Sequence, residues 1–450
     1  MWKTLTREMK DSGIEWIGEI PKDWKVRRLR FLGKFSSSGI NKKINKNEKP
    51  IKIVNYLDVY NNETFTLDNN QSYMVVTATE NQIKNHLLQK GDLIFTPSSE
   101  TTEDIGVSAL VTEDLDNTAF SYHVLRFIFN IEVVDEFKKY LTNNMYALNV
   151  FSSLAQGSTR KTLNRNDFKD LKVFLPPLKE QKKISSFLDQ SIKIINQTKH
   201  ETELSIIELK KYKQSLITEA VTKGLNPHVE MKDSGIEWIG KIPEHWSISR
   251  IKNEFTLNKG LTITKSDLKD KGIPVINYGE IHSRYGFRFD TKIHPVKNVD
   301  EEYLIKNENS LIKKGDFIFA DTSEDLEGAG NFTCYIGDAQ CFAGSHTVVL
   351  KPRKNINHLY YSYLFESLAF RAQIQEKVQG IKVFSITQGI LKPLILIIPT
   401  EQEQKQIVTY LDEQTSRIDK LIADKTKIIE ELENYKKSLI YEYVTGKKEA

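Results

Sequence analysis

One motif of sixteen residues occurs twice in this chain, and this repetition constrains the fold more than any other feature. The segment MKDSGIEWIGEIPKDW spans residues 9–24, and MKDSGIEWIGKIPEHW spans residues 231–246, 222 positions later. Further matching pairs follow at offsets of 222 to 224, for example KGDLIF at 90–95 and KGDFIF at 314–319. Because a solenoid would need more and shorter units, this spacing predicts two homologous halves in tandem.

The composition is that of an ordinary globular protein. Of the 450 residues, 39% are hydrophobic and 28% are charged, and the length suggests about two to four domains. No run of eighteen apolar residues predicts a membrane span, and the first residues lack the apolar stretch of a signal peptide. Two cysteines exclude a disulfide framework, so we expect a reducing cytoplasm. The net charge of +4 permits nucleic-acid binding without requiring it.

Each half combines a region of mixed structure with a long helical segment. Short β-type runs such as IKIVNYLDVY and SYHVLRFIF alternate with Asn, Gly and Asp turn signals over roughly 150 residues. Prolines at positions 176, 177 and 399 then stand where helices commonly begin. We therefore predict an α/β (α+β) fold in which two pseudo-symmetric globular domains are joined by two long helices. The predicted boundaries are 1–174 and 225–397 for the globular domains, and 175–224 and 398–450 for the helices.

The two helical segments carry the most regular hydrophobic periodicity in the chain. Positions spaced alternately by four and three residues form a heptad pattern, and the second copy lies 223 residues after the first. Each helix could pack only on its own domain, but so regular a pattern favours an antiparallel coiled coil of two helices, each roughly 50–60 Å long. The predicted seam consists of Ile184, Leu188, Ile195, Leu209, Tyr212, Leu216, Ile407, Leu411, Ile418, Leu421, Ile428, Leu432, Tyr435 and Leu439.

The two halves differ most in their middle regions. The loop at residues 36–50 bears no similarity to its counterpart at 257–274, and residues 156–168 differ from 379–391 after a shared Gln-Gly. Drift in unimportant loops is one explanation, but it does not explain why the opening motif is retained. Matching surfaces can bind the same partner twice, whereas diverged surfaces on one framework can bind two different ligands.

In these features the chain resembles the specificity subunit of type I restriction–modification systems. The resemblance covers essentially the whole chain. It rests on the duplicated GIEWIG-x-IP-x-x-W segment, on PPLKEQ at 176–181 with its partner PTEQEQ at 399–404, and on the two-half layout. PTEQEQ lacks the second proline of the first copy, a departure that bears on the entry angle of the second helix and not on the family.

The resemblance implies a protein without catalysis of its own. Each globular domain would be a target-recognition domain for one half of an asymmetric bipartite sequence in double-stranded DNA, and the helix pair would fix the spacer. Two modification subunits, which are methyltransferases, would dock on the duplicated surfaces, and restriction subunits would join through them. Adenine methylation and ATP-dependent cleavage, with S-adenosylmethionine, ATP and Mg²⁺, would reside on those partners in a prokaryotic cytoplasm.

The sequence contains no catalytic signature that we recognise. A GxxxxGK[ST] phosphate loop, the Asp-Pro-Pro-Tyr or Asn-Pro-Pro-Tyr segment of amino-methyltransferases, HExxH and CxxC are all absent. Cys334, Cys341 and His346 lie close in sequence, but their irregular spacing favours packed residues over metal ligands. We therefore expect no metal, cofactor or catalytic residue in this chain. Two alternatives stay open: a protein-only scaffold, and an enzyme with unfamiliar motifs.

Basic, amide and hydroxyl side chains in the diverged loops are the candidates for DNA contacts, because such groups bind base edges and phosphates. Any one of them could equally be solvated surface charge. His123 and His346 precede β-type runs at matching positions, where structural roles are favoured. The predicted DNA-binding residues are Lys42, Lys43, Lys46, Ser158, Thr159, Arg160, Lys161, Arg165, Lys259, Thr262, Thr264, Lys265, Arg284, Tyr285, Arg288 and Lys382.

The repeated motif also supplies candidates for partner docking. Trp16, Trp24, Trp238 and Trp246 are its large aromatic residues, and they recur at matching positions. Trp16 and Trp238 could instead be core residues, which a large loss of thermal stability on substitution would reveal.

Overall fold

The computed structural model describes residues 7–378, 380 and 383–450. The chain divides into two compact units: one holds the residues up to Leu204 together with Lys425–Ala450, and the other holds Ser205–Asp424. Each unit contains one globular region and segments of both long helices. The end of the chain therefore belongs with the first half of the sequence.

The first unit is built from short strands and helices that precede a long helix, α6 (Leu178–Lys223). The strands are β1 (Met9–Asp11), β2 (Glu19–Pro21), β3 (Lys25–Arg28), β4 (Gly33–Ser36), β5 (Lys49–Val54), β6 (Thr66–Leu67), β7 (Met74–Ala78), β8 (Leu93–Phe95), β9 (Ser98–Ser99), β10 (Ser108–Val111), β11 (Thr118–Phe120), β12 (Leu125–Phe129), β13 (Lys161–Thr162) and β14 (Lys172–Leu175). The short helices are α1 (Tyr56–Tyr60), α2 (Glu80–His86), α3 (Asp135–Thr142), α4 (Met145–Leu154) and α5 (Arg165–Asp170).

The main sheet of the first unit has the strand order β4-β12-β8-β10-β6. Its neighbouring strands are antiparallel except for the parallel pair of β10 and β6. A second sheet has the order β11-β5-β7, and three two-stranded ladders pair β1 with β2, β3 with β14, and β9 with β13. The Leu-Ile-Phe run of β8 is fully buried, because strands rich in Val, Ile, Leu and Phe form the centre of the core.

The second unit repeats this plan and ends in the second long helix, α13 (Glu401–Val444). Its strands are β15 (Met231–Asp233), β16 (Lys241–Pro243), β17 (Ser247–Arg250), β18 (Phe255–Lys259), β19 (Ile273–Ile276), β20 (Arg288–Phe289), β21 (Lys297–Val299), β22 (Leu311–Ile312), β23 (Phe317–Ala320), β24 (Thr322–Ser323), β25 (Phe332–Tyr335), β26 (Cys341–Ala343), β27 (Thr347–Pro352), β28 (Phe384–Ser385) and β29 (Ile395–Ile398). The short helices are α7 (Ile251–Glu254), α8 (Tyr278–Ser283), α9 (Tyr303–Lys306), α10 (His358–Glu366), α11 (Leu368–Gln375) and α12 (Gln388–Leu391).

The sheets of the second unit follow the plan of the first, and the main sheets match strand for strand. The main sheet has the order β18-β27-β23-β25-β20, again with a single parallel pair, β25 with β20. The second sheet gains one strand and has the order β21-β19-β26-β22. The ladders β15·β16, β17·β29 and β24·β28 correspond to the three ladders of the first unit. The prediction of two halves with the same mixed fold is confirmed.

The two long helices contact each other in antiparallel orientation within the first unit. The rings of Phe187 and Tyr443 have centroids 4.6 Å apart, and Lys199 Nζ donates to Glu433 Oε1 at 2.9 Å. The partner's number falls along α13 as it rises along α6, which defines the antiparallel direction. The 46 residues of α6 and the 44 of α13 extend about 66–69 Å at the α-helical rise per residue. These lengths exceed the roughly 50–60 Å expected from the heptad positions, and both helices lie within the predicted segments 175–224 and 398–450.

The structure buries the predicted heptad seam near the helix ends, whereas four of its members are exposed, which corrects the prediction that these four lie in the seam. Polar pairs between the helices replace apolar contacts near the exposed members. In the second unit, for example, Lys213 Nζ donates to Asp419 at 2.7 Å. The helix ends pack into the globular cores. The heptad pattern therefore reflects both packing on the domains and pairing of the two helices. The exposed members are Tyr212, Leu421, Ile428 and Tyr435, the half-buried members are Leu209, Leu216 and Leu432, and the buried members are Ile184, Leu188, Ile195, Ile407, Leu411, Ile418 and Leu439.

A glycine that follows each long helix packs on a tryptophan of the repeated motif. Gly224 and Gly446 have φ angles of +77° and +73°, the left-handed conformation that commonly ends helices. A Cβ on Gly224 would lie 3.1 Å from the Trp246 ring. A Cβ on Gly446 would lie 3.3 Å from the Trp24 ring. Helix α6 therefore ends against the motif copy that follows it and α13 against the first copy, which explains why the end of the chain belongs to the first unit.

Candidate nucleic-acid interface

A short two-stranded ladder organises the diverged loops in each unit. In the first unit β9 pairs with β13, and the backbone N–H of Leu163 donates to the carbonyl of Pro97 at 2.8 Å. In the second unit β24 pairs with β28, and the N–H of Ile386 donates to the carbonyl of Asp321 at 2.7 Å. A tyrosine and a histidine accompany each ladder at matching positions, namely Tyr56 and His123 in the first unit and Tyr278 and His346 in the second.

Arg160 lies at the centre of the first ladder site. Its Nε donates to Ser98 Oγ at 3.0 Å, and its guanidinium carbon lies 5.2 Å from the centroid of the Tyr56 ring, a cation–π contact. Tyr56 stacks on Tyr60 with centroids 5.0 Å apart, and the Tyr60 hydroxyl donates to Asp104. The exposed guanidinium is therefore held by a hydrogen bond from Nε and by its contact with one aromatic ring, which we call the aromatic platform.

Two loops that are far apart in sequence meet at this site. Burial lowers the pKa of His123, and the nearby charges of Lys42 and Arg160 lower it further. Lys42 comes from the first diverged loop and Arg160 from the second, so the two loops flank one imidazole. Arg165 of the second loop also donates to Ser37 Oγ of the first at 2.7 Å. The structure thus brings together basic residues that the sequence placed in separate stretches.

The other predicted DNA-binding residues of the first unit lie on its surface. Lys161 is half-buried, and its Nζ donates to the carbonyl of Gly157 at 2.7 Å. This bond closes the loop that carries Arg160. The exposed members are Lys42, Lys43, Lys46, Ser158, Thr159, Arg160 and Arg165.

The second unit presents different chemistry on the same framework. The rings of Tyr278 and His346 meet edge to face with centroids 5.3 Å apart. Val383, which is 52% exposed, stands where the first unit has its central arginine. The ladder is therefore basic in the first unit and apolar or neutral in the second. The replaced pairs are Arg160 with Val383, Lys161 with Phe384, and Arg165 with Gln388.

The early loop of the second unit reaches its ladder as well. Lys259, Thr262, His346 and Gln388 line a cleft of about 570 Å³. Two of these residues come from the predicted early loop, and Gln388 follows the ladder strand β28. The remaining exposed candidates of this unit are Thr264, Lys265 and Arg284.

Two predicted DNA-binding residues of the second unit have packing roles instead. Tyr285 is buried, and its hydroxyl donates to the carbonyl of Pro295 at 2.7 Å. Arg288 is half-buried, pairs with Asp412 at 2.7 Å and lies against two aromatic rings. Their basic and aromatic character indicated a DNA-binding stretch, but these side chains fix the core and the base of α13. The predicted Lys382 lies outside the described residues.

Trp24 and Trp246 belong to the core, which corrects their predicted role in docking. Each is only 1% exposed. Trp24 Nε1 donates to Glu180 Oε2 at 2.9 Å, and Trp246 Nε1 donates to Glu403 Oε1 at 3.0 Å. Each buried tryptophan therefore ties its motif copy to the first turn of a long helix.

Trp16 and Trp238 stay on the surface. They are 52% and 38% exposed, and the Trp16 ring lies 5.1 Å from the Tyr146 ring. Tryptophan is enriched among the residues that contribute most to protein–protein binding. These two residues remain the candidates for partner docking.

The remaining reactive groups are inert or scattered. Cys334 and Cys341 are buried, and burial raises the pKa of both thiols, that of Cys334 to about 12. Across the described parts of the chain, no group of three His, Cys, Asp or Glu side chains is arranged to hold a metal ion. Among those same residues, no helix is both long and apolar enough to cross a membrane.

The aromatic platforms, Tyr56 and Tyr278, were not predicted from the sequence. Tyr56 and Tyr278 were visible as part of the matching segments Val-Asn-Tyr and Ile-Asn-Tyr, but a tyrosine in a β-type run indicates packing first. Ser98 and Asp104 carried no signal of their own, because their roles depend on the ladder that joins β9 to β13. Recurrence in both halves was the one clue that could have identified the tyrosines.

Comparison with known proteins identifies relatives along the whole chain. The model of a family described as the type I restriction modification DNA specificity domain matches residues 21–206 and again residues 243–434. A protein of Methanocaldococcus jannaschii assigned as the type I restriction enzyme MjaX specificity subunit is 26% identical over 442 residues, covering 96% of this chain and 95% of its own. The EcoKI specificity subunit of Escherichia coli is 26% identical over 215 residues, which are 46% of this chain and 44% of that protein.

Solved structures share the fold. A chain from a structure of a type I R-M system superposes with a TM-score of 0.69 at 16% identity, covering 95% of this chain and 99% of its own. The HsdS subunit from Thermoanaerobacter tengcongensis superposes with a TM-score of 0.51, also at 16% identity, covering 95% and 98% of the two chains. At this identity the superpositions show a common fold.

Proposed function

The chain belongs to the family of type I restriction–modification DNA specificity subunits, and we propose that its two units read the two halves of a split, asymmetric DNA target. The observation that carries this proposal is the pair of ladder sites. Both have the same strands, tyrosine and histidine, but Arg160 in one unit is replaced by Val383 in the other. Side chains of different chemistry prefer different base edges in the major groove, so the two half-sites should differ in sequence.

The long helices would set the distance between the half-sites. Helix α6 begins in the first unit and ends in the second, and α13 runs from the second unit into the first. Their contacts are polar as well as apolar, which fixes the register of one helix along the other. The number of unread base pairs between the half-sites would follow from that register, as half-site spacing follows from protein geometry in other DNA-binding proteins.

The exposed tryptophans would mark the docking surfaces. Trp16 and Trp238 lie in copies of one motif, so one kind of partner can bind twice. We propose two modification subunits there, with restriction subunits joining through them. S-adenosylmethionine, ATP and Mg²⁺ would bind those partners in a prokaryotic cytoplasm. This chain would supply recognition alone.

Exchange of one recognition region tests the modular reading. Residues 36–170 are replaced by the corresponding region of another specificity subunit, and the methylated sequence is determined for the complex with the modification subunit. We expect one half-site to change while the other half-site and the spacer stay the same. The matched control replaces residues 258–393, the equivalent region of the second half, and should change only the opposite half-site. A change of both half-sites in either chimera would contradict the assignment of one unit to each half-site.

A further inference from the structure

We propose that Arg160 is a preorganised reader of guanine in the half-site bound by the first unit. This inference rests on the proposed function of the chain and adds a residue and a base to it. A bidentate contact from a guanidinium to O6 and N7 is the commonest way in which proteins select guanine in the major groove.

The guanidinium of Arg160 is tethered on one edge and free on the other. Nε donates to Ser98 Oγ, which leaves the two terminal nitrogens as a planar fork. Within residues 7–378, 380 and 383–450, no atom accepts a hydrogen bond from that fork, and no carboxylate pairs with it. The side chain is exposed, so a DNA duplex can reach the fork.

The Tyr56 ring fixes the plane of this fork. Its centroid lies 5.2 Å from the guanidinium carbon, and its own position is fixed by stacking on Tyr60. The Tyr60 hydroxyl donates to Asp104, which also accepts from Ser99 Oγ at 2.7 Å. A chain of contacts thus runs from the ladder strand β9 through two stacked rings to the arginine.

The carboxylate of Asp104, at the end of this series of contacts, stays charged. Partial burial acts to raise its pKa, but hydrogen bonds from Thr101, Tyr60 and Ser99 outweigh burial and hold the pKa below its ordinary value. A side chain held in one orientation before binding loses less conformational entropy when it binds. The arrangement therefore suits a directional contact with a base more than a loose contact with a phosphate.

The second unit offers a natural comparison. Val383 stands at the position of Arg160, and Tyr278, the equivalent platform, is 41% exposed, with no arginine over it among the residues that the structure describes. A valine cannot donate hydrogen bonds, but it can contact the methyl group of thymine. We therefore expect the guanine requirement in the half-site of the first unit only.

The test measures methylation by the full chain in complex with its modification subunit. Duplexes carry each of the four base pairs at every position of both half-sites, and kcat/KM is compared between the wild type, Arg160→Ala and Arg160→Lys. We expect the wild type to require a G·C pair at one position of one half-site. Arg160→Ala should reduce discrimination there by on the order of ten- to a hundredfold, with every other position unchanged. Arg160→Lys should fall between the two, because it keeps the charge and loses the planar fork.

Platform variants separate positioning from folding. Tyr56→Leu removes the ring and should reduce discrimination at the same base pair, whereas Tyr56→Phe keeps the ring and should retain it. Val383→Ala is the matched control in the second unit and should leave that G·C requirement intact. Thermal unfolding of each variant reports whether the fold is preserved.

Three results would overturn the inference. Equal loss of kcat/KM on all duplexes in Arg160→Ala would identify a phosphate contact, and unchanged discrimination would exclude any contact with a base. A wild-type half-site without a G·C requirement would also refute it. In all three cases the split target itself would persist, so the proposed function would stand. Failure of the wild-type complex to methylate any split sequence would instead refute both.

Discussion

At the scale of single residues, burial separates two kinds of repeated tryptophan. Trp24 is buried and bonded to Glu180, whereas Trp16, in the same motif copy, is about half exposed. Removing this buried tryptophan leaves a cavity and takes one hydrogen bond from the Glu180 carboxylate, which stays paired with Arg7. Removing the exposed one leaves the core intact and deletes part of a surface.

We therefore predict opposite effects for Trp24→Ala and Trp16→Ala. Trp24→Ala should lower the free energy of unfolding by about 3–5 kcal/mol, the usual cost of a large cavity. Trp16→Ala should cost less than about 1 kcal/mol, as for an exposed position, and should weaken binding of the modification subunit. Chemical denaturation measures the first effect and titration with the modification subunit measures the second. A stability loss of similar size in both variants would contradict the proposed division.

The sequence identified the repeated tryptophans, but it could not show which of them are buried and which are exposed. Both tryptophan positions of the motif recur in the second copy, and recurrence reports selection for folding and for binding alike. The same limit applies to Tyr285 and Arg288, which looked like DNA-binding residues and proved to be packed. Which side chain faces solvent depends on strand pairs that join distant segments, and no local pattern encodes those pairs.

Glu403 gives the protein a specific response to acid. It accepts hydrogen bonds from Thr400 and Trp246, and His245 Nε2 lies 2.8 Å from its Oε1. Burial acts to raise its pKa, but these hydrogen bonds outweigh burial and lower the pKa from 4.5 to about 2. Because the folded-state pKa lies below the unfolded value, its contribution is complete above pH 4.5 and is lost as the pH falls towards about 2.

Glu403→Gln should therefore make the unfolding temperature less dependent on pH in the acidic range. The unfolding temperature of the variant should be lower than that of the wild type near neutral pH. The difference should shrink as the pH falls through the interval from 4.5 to about 2. Glu401→Gln, an exposed glutamate in the same helical turn, is the control and should leave the profile unchanged. A gap between wild type and Glu403→Gln that stays constant with pH would contradict the assignment.

At the scale of elements, the long helices were predicted in place and direction but not in burial. Their starts at Leu178 and Glu401 follow the prolines that the sequence offers. The heptad pattern placed Tyr212 and Tyr435 in the seam, yet both are exposed. Periodicity identifies one face of a helix, but the globular cores at the helix ends decide how much of that face is covered.

Lengthening both helices together should lengthen the spacer in the DNA target. Seven residues are inserted after Thr202 in α6 and after Ile429 in α13, positions that face each other by the register of Lys199 with Glu433. Seven residues add about 10 Å of helix, close to three base pairs of duplex. We expect the methylated sequence to gain about three unread base pairs while both half-sites stay unchanged.

A single-helix insertion serves as the control for this experiment. Seven residues added to α6 alone would displace Lys199 from Glu433 or Lys213 from Asp419. We expect lower thermal stability and no uniform new spacer. An unchanged spacer in the double insertion, or a changed half-site, would refute the role of the helices as a ruler.

At the scale of the whole molecule, the repeat predicted two halves but not which motif copy each long helix contacts at its end. Each half runs from motif through globular region to helix, and each helix end meets a motif copy through Gly224 or Gly446. Helix α6 ends against the second copy and α13 against the first. The contact of Gly446 with Trp24 shows that the second long helix ends against the first motif copy, which the sequence did not predict. The domain boundaries after residues 174, 224 and 397 stay predictions.

The methylated sequence in genomic DNA tests the central claim most directly. The chain is co-expressed with its modification subunit in a host that lacks other adenine methylation, and the DNA is sequenced by a modification-sensitive method. Two units with one framework and different ladder chemistry predict a single split motif with two unlike half-sites and a fixed spacer. A stable complex that methylates no sequence, or one that methylates an undivided or symmetric motif, would contradict the account.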